Sequence, residues 1–222
     1  MANSKVRKWL ILFLVLLFPS LLYVLLSTGK HHIIRLPHFG PKQFVAQEGV
    51  KKVDTTYYQV PSFQFIDQQG NTISSSELAN KTKVYSLTCF TCRGNFSERL
   101  TSELAQLQLR FENRSDLVLI SLIVDGNTLS ESQKTELINK YAPKDDFWKI
   151  SFLDNSFCQQ FAESALLLDN FVPNIGSPTF VLVDINNHIR GYYNGIEYLE
   201  VKDLIDGIKV LKAEEFIPRK ES

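Results

Sequence analysis

Residues 9–26 read WLILFLVLLFPSLLYVLL, eighteen positions without a charge. In a bilayer a single segment of this kind has to be a helix, because only a helix satisfies its own backbone hydrogen bonds there. As a helix the run spans roughly 27 Å, against a hydrocarbon core of about 30 Å. Lys5, Arg7 and Lys8 precede it, so the positive-inside rule keeps that end cytoplasmic and exports the rest. Trp9 and Tyr23 stand near the two ends as interfacial anchors, and Pro19 marks a possible kink. The run is longer than a signal-peptide core, and Ser27-Thr28-Gly29 is a poor small-x-small cleavage site. A retained anchor is therefore expected rather than a cleaved leader. This divides the chain into a cytoplasmic n-region (1–8), a transmembrane anchor (9–26), a spacer (27–54), a folded domain (55–215) and a tail (216–222). The expected location is the cell membrane, single-pass, with the C-terminal domain extracytoplasmic on the periplasmic side.

Charge is unevenly shared. Residues 1–50 hold six Lys/Arg and one acidic residue, Glu48, which leaves eighteen Lys/Arg against twenty-three Asp/Glu beyond them. An acidic folded part argues against nucleic acid as a partner, since phosphate contacts need a basic face. Three cysteines in 222 residues are too few for a disulfide scaffold, so their spacing carries more than their number.

The spacer, with Pro37, Gly40, Pro41 and mixed charge, lacks sustained periodicity. Beyond it, residues 60–66 alternate as a strand, 67–70 form a turn and 71–74 return, which predicts a hairpin. A short helix is expected near 77–80 after the Ser75/Ser76 cap, then a compact strand at 83–87. Phe96, Leu100, Leu104, Leu107 and Phe111 recur at helical spacing and predict a long helix starting shortly after Cys92. Residues 117–124 (LVLISLIV) form a branched apolar run typical of a strand buried on both faces. Helices at 130–141 and 155–168, a strand at 148–153, a hairpin at 179–193 and a closing helix through Val201, Leu204, Ile208 and Leu211 complete the pattern. A parallel pair joined by a crossover helix, then an antiparallel pair and a covering helix, is the thioredoxin order. The expected class is α/β: a thioredoxin-like central mixed sheet flanked by helices, with an N-terminal hairpin extension and one transmembrane helix.

Cys89-Phe90-Thr91-Cys92 falls directly after a buried-type strand and directly before a long helix. Unpaired amide N–H groups and the positive end of the dipole at a helix start favour thiolate over thiol. Cys89 would attack and Cys92 would resolve the mixed disulfide. Pro178 precedes the 179–183 strand, where redox folds of this type place a cis proline that presents backbone groups to a substrate chain. Half of a zinc site is the competing reading, but Cys158 has no CxxC or HxxxH companion. Cys158, among Phe157, Phe161 and Ala162, is expected to be a buried structural thiol. His31, His32 and His38 in the spacer and His188 in a hairpin turn are expected to be solvated.

These residues resemble the Sco/SenC family of membrane-anchored thioredoxin-fold proteins associated with copper delivery to cytochrome oxidase. The likeness covers roughly residues 57–213. It is carried by the anchor, Val60-Pro61-Ser62-Phe63 with the turn at 67–70, the cysteines after the 85–87 strand, residues 117–125, Lys140-Tyr141-Ala142 with Trp148, and the tail from Ile189. Two departures bear on function. The family separates its cysteines by three residues, here two, and its third copper ligand is a histidine where this chain has Gly176. Residues 176–184 look more like the exported thioredoxins of TlpA/ResA type, dithiol reductants in cytochrome and oxidase assembly.

The resemblance and the CxxC setting together imply a membrane-anchored thiol–disulfide oxidoreductase acting through Cys89, Cys92 and Pro178, with no required cofactor. Its client would carry a disulfide or a copper site, as a cytochrome oxidase subunit does, and its membrane contact would be residues 9–26. The alternative is a Sco-like copper chaperone in which Cys89 and Cys92 hold Cu(I), a soft ion suited to thiolates. A third reading is a redox sensor or adaptor with the thiol pair locked as a structural disulfide.

Overall fold

The computed structural model describes residues 4–28, 35–46, 53–89, 96–144, 146–169 and 179–216. It divides into two units, Met1–Ile34 and Arg35–Ser222. The first contains helix α1 (Ser4–Thr28), with Pro19 inside it. Within α1 the stretch Val6–Val24 is long and apolar enough to cross a membrane or to serve as a signal sequence.

The second unit begins earlier than the sequence suggests. Strands β1 (Lys42–Ala46) and β2 (Val53–Tyr57) form an antiparallel hairpin, with Lys42 opposite Tyr57. Ahead of it, the Phe39 N–H donates to the Ile189 carbonyl at 2.9 Å. The described residues between 35 and 57 are thus structured, not an irregular spacer. Backbone pairing holds them, and Phe44 is 71 % exposed, so the hairpin leaves no strong apolar pattern to read.

Strands β3 (Gln64–Ile66) and β4 (Thr72–Ser74) form the expected hairpin. Its turn is fixed by Asp67, whose Oδ1 accepts the N–H groups of Gln69 and Asn71 at 2.9 and 2.8 Å. The helix expected near 77–80 is a run of turns instead, closed by Asn80 at φ 62°. Four residues cannot repay the cost of nucleating a helix.

The central sheet has the order β7-β6-β5-β8-β9 among the described residues. It comprises β5 (Thr82–Thr88), β6 (Leu117–Ile123), β7 (Trp148–Phe152), β8 (Thr179–Val183) and β9 (Ile189–Asn194). β5, β6 and β7 run parallel, while β8 is antiparallel to β5 and to β9. Helices α2 (Phe96–Phe111), α3 (Glu131–Tyr141), α4 (Asn155–Gln160) and α5 (Tyr198–Glu215) complete the unit. Every residue of β5 and β6 is buried, as expected for strands covered on both faces.

Period-two alternation sorts their side chains. Tyr85, Leu87, Val118, Ile120, Leu122, Val181 and Val183 face a core with Phe63, Phe65, Ile73, Phe161, Ala162 and Cys158. Val84, Leu117, Leu119, Phe180 and Leu182 face the other core, with Leu100, Leu104 and Leu107 of α2 and Val201, Leu204 and Ile208 of α5. Each of these fully buried aliphatic side chains contributes about 1.5–3 kcal/mol relative to exposure.

The stretch read as one helix over 155–168 is α4 followed by a π-helical turn, Phe161–Ala165. The Leu166 N–H donates to the Phe161 carbonyl at 3.1 Å. Carbonyls at the C-terminal end of this turn, which a helix leaves without internal partners, are met from outside: the Tyr58 hydroxyl shares its proton between those of Ser164 and Ala165, and the Tyr192 hydroxyl donates to that of Leu166.

Candidate functional site

Cys89 follows the last residue of β5 and is half-buried, packed against the core that contains Tyr85, Leu87 and Phe161. It is disulfide-bonded. Cys92 and Pro178 lie outside the described residues, as do the residues joining Cys92 to α2. Thr179, the residue after Pro178, pairs with Leu87, two residues before Cys89. β5 is the middle strand of the sheet, so Cys89 stands at the carboxyl ends of three parallel strands, where ligands bind in open α/β sheets. Asp125, buried, leaves β6 at the same end.

Cys158 is a free thiol with 0 % exposure. Burial, helped by the charges of Asp154 and Asp125, pushes its pKa up to about 12. A thiol held protonated is a poor nucleophile and a poor metal ligand, so the half-buried Cys89 is the cysteine of the described residues placed for exchange chemistry.

The histidine expectations need correction. His188 is buried, and its Nδ1 lies 3.3 Å from Asp184 Oδ2. His38 is half-buried and stacks on Tyr57 with centroids 4.0 Å apart. Burial, with the charges of Arg190 and His188, lowers the His38 pKa to about 4. His31 and His32 lie outside the described residues. Sequence reasoning also missed Arg190, 4 % exposed. Its guanidinium donates to Asp184 Oδ2 at 3.0 Å, to Glu214 at 3.0 and 2.8 Å, and to the Leu36 and Pro37 carbonyls at 2.7 and 3.1 Å. The usable signal was the spacing of His188 and Arg190 two residues apart beside a strand, where an arginine flanked by apolar residues has to find a partner.

No family model matches the sequence, and no curated protein matches it. Solved structures do. One is BsSco, a member of the Sco family of cytochrome c oxidase assembly proteins, at 21 % identity and TM-score 0.57, covering 69 % of this chain and 93 % of that one. A SCO1/SenC family lipoprotein from Bacillus anthracis str. Ames matches at 23 % and 0.58, covering 70 % and 95 %. The fold is thioredoxin-like. A structure described as the thiol:disulfide interchange protein DsbE of Chlorobium tepidum matches at 13 % and 0.51, covering 69 % and 95 %. The expected α/β class, with its mixed sheet and flanking helices, is therefore the observed one, and the Sco and SenC proteins named from the sequence are among its structural neighbours.

Proposed function

We propose that this protein is a membrane-anchored, extracytoplasmic thiol–disulfide oxidoreductase whose reactive pair is Cys89 and Cys92 and whose clients belong to cytochrome oxidase assembly. The observation that carries this is Cys89 itself: half-buried, disulfide-bonded, and at the carboxyl end of the middle strand beside the start of β8. Cys158 is free, and this reading takes Cys92, three positions after Cys89, as the partner. The anchor is the apolar stretch Val6–Val24, with Arg7 and Lys8 holding its N-terminal end in the cytoplasm.

In the reducing direction the Cys89 thiolate attacks one sulfur of a client disulfide, forming a mixed disulfide and releasing one client thiolate. The Cys92 thiolate then attacks Cys89 Sγ and releases the second client thiol. The client gains two electrons and two protons, the protein becomes a disulfide, and an external dithiol restores it. Pro178 is assigned to hold the client backbone beside Cys89.

The test is insulin-disulfide reduction by the full chain in detergent. Cys89→Ser should abolish turnover and form no mixed disulfide, whereas Cys92→Ser should accumulate one. Full activity in both variants would refute the assignment.

A second reading has support from the Sco structures, whose family is described as assembling cytochrome c oxidase. In it Cys89 and Cys92 bind Cu(I) as cargo for a client copper site. Gly176 in place of the family histidine leaves two thiolate donors. Titration of the reduced protein with Cu(I) against a chelator of known affinity separates the readings: tight one-to-one binding lost in Cys89→Ser favours the chaperone, and weak binding beside a reversible dithiol couple favours exchange.

A further inference from the structure

At the end of the sheet opposite Cys89, three side chains from two separate segments bring their ligand atoms together. β5 runs seven residues from Thr82 to Thr88, and Lys83 pairs with Val183. The β8–β9 turn therefore lies about 20 Å along the strand direction from Cys89. In this turn Asp184 Oδ1 accepts the N–H groups of Asn186 and His188, both at 2.9 Å, while the Asp184 N–H donates to the His188 carbonyl at 3.0 Å. Lys83 Nζ donates to Asn187 Oδ1 at 2.7 Å and to the Asp184 carbonyl at 3.3 Å. Asp184 and His188 are thus held rigidly and share one side of the turn. His38 arrives from the other direction, fixed by the Phe39–Ile189 hydrogen bond and by stacking on Tyr57. The His38 and His188 rings meet edge to face at 5.2 Å.

We infer that His38, Asp184 and His188 form a binding site for a borderline divalent transition ion of the Zn²⁺ class. One ligand atom from each residue lies within 4.8 Å of the other two. The fixed pair, His188 Nδ1 and Asp184 Oδ2, stands at 3.3 Å. That separation is the edge of a tetrahedron built on bonds of about 2.0–2.1 Å, so these two atoms are already at coordination spacing. His38 closes the triangle, its ligand atom within 4.8 Å of those of Asp184 and His188. Two imidazoles and one carboxylate suit Zn²⁺ and its neighbours, whereas Mg²⁺ and Ca²⁺ prefer all-oxygen sites and Cu(I) prefers sulfur.

The surroundings are those of a metal site with an open position. A cavity of ≈ 580 Å³ adjoins the three residues, lined also by Gln59, Asn186 and Glu214. Arg190 donates to Asp184 Oδ2 at 3.0 Å, and the same oxygen faces His188 Nδ1 at 3.3 Å, the gap a cation would bridge. Outer hydrogen bonds of this kind orient ligating carboxylates. The positive charge of Arg190 is met by Glu214 at 2.8 Å. β9 is bulged here: Leu182 pairs with Gly191 and Val183 with Ile189, so Arg190 is the extra residue. A bulge re-aims a side chain, and this one aims Arg190 at Asp184. Because His38 belongs to the stretch before β1, bound metal would staple that stretch to the β8–β9 turn. Its chemistry is separate from the thiols.

The test uses the full-length, tag-free protein in detergent, oxidised so that the Cys89 disulfide is intact, stripped with a chelator and titrated with Co²⁺ alone. One equivalent should bind, giving visible d–d absorption without thiolate-to-cobalt charge transfer, and one equivalent of Zn²⁺ should displace it. Zn²⁺ should also raise the Tm of the wild type, as a ligand of the native state must. His38→Ala and His188→Asn should each weaken binding by more than about a hundredfold, beyond what the loss of an outer-shell partner typically costs, and should cancel the Tm gain. The His31→Ala/His32→Ala variant should bind as the wild type does. His38 is half-buried, so its variant reports on binding even where His188→Asn fails to fold. Absence of binding, binding indifferent to His38→Ala, or binding lost with His31 and His32 would each overturn the site.

Discussion

Arg190→Met tests the reasoning about the polar end of the sheet most severely, because it keeps the volume of the side chain and removes only its charge and donors. In the wild type one guanidinium, 4 % exposed, makes five hydrogen bonds: two to Glu214, one to Asp184 and two to the Leu36 and Pro37 carbonyls. The variant leaves two carboxylates with side-chain exposures of 8 % and 16 % facing a methionine. Breaking a buried pair from one side costs about 3–5 kcal/mol, mostly as the penalty on the stranded charge. Glu214 can turn partly to water and still accepts the Leu36 N–H at 2.8 Å, so the expected loss is about 3 kcal/mol. For a domain of this size about 3 kcal/mol corresponds to a Tm fall of roughly 6–12 °C. The assay is thermal unfolding of the metal-free protein, read from the fluorescence of buried Trp148. The second variant, Arg190→Met/Glu214→Gln, should recover about 1–2 kcal/mol, since it removes one of the stranded charges. A single-variant Tm within about 2 °C of wild type, or a double variant no more stable than the single, would refute the account.

Three further outcomes follow from particular contacts. Cys158, fully buried with its pKa pushed up to about 12, should resist iodoacetamide in the native, reduced protein while Cys89 is alkylated, and should react on unfolding. Rapid native labelling at Cys158, read by peptide mass, would contradict its placement. Asp116 is held by a fork from Arg114 at 3.0 and 2.8 Å and by Lys212 at 2.7 Å, and the Arg114 hydrogen bond puts its carboxyl well below the usual carboxylate range. A carboxyl lowered in the folded state contributes stability above its unfolded pKa of about 4 and loses it as pH falls toward the folded pKa. Asp116→Asn should therefore lower Tm at pH 7 and flatten the decline below about pH 4, and parallel wild-type and variant profiles would count against it. A Cβ at Gly126 would meet the Phe152 carbonyl carbon at 2.6 Å and the Leu153 nitrogen at 2.7 Å. Backbone cannot swing aside as a side chain does, so Gly126→Ala should cost about 1–3 kcal/mol in denaturant titration, with an unchanged midpoint contradicting that close approach.

The parts of the fold legible in the sequence are those whose signal is local. Residues 117–123 are almost wholly apolar and β-branched-rich, and a strand covered on both faces has no other way to look. The helical spacing through Leu100, Leu104 and Leu107 marks the face of α2 that enters the core. The π-helical turn at Phe161–Ala165 was invisible because one extra residue in a turn leaves nearly the same apolar stripe, and Phe161, Ala162 and Ala165 are buried whether the turn is α or π. The β1–β2 hairpin was missed because Phe44 faces outward and Pro37, Gly40 and Pro41 beside it carry the usual marks of a linker.

The two candidate sites differ in legibility for the same reason. Cys89 and Cys92 are three positions apart in the sequence, between a strand-like run and a helix-like one, so the proposed exchange chemistry can be read from local spacing. The cluster at the other end is assembled by tertiary structure: Arg190 reaches Pro37 across 153 positions, and a bulge that no propensity encodes decides where its guanidinium points. Burial then turns ordinary residues into committed ones. An arginine enclosed beside Asp184 and Glu214 has to pair with them, and the carbonyls it takes up from Leu36 and Pro37 fix the stretch that carries His38. Arg190 thus joins the Phe39–Ile189 hydrogen bond and the Tyr57 stacking in setting where His38 stands against Asp184 and His188. Arg190→Met should accordingly loosen Co²⁺ binding along with stability, whereas Arg190→Lys, which keeps the charge but loses the fork, should retain more of the stability than of the binding.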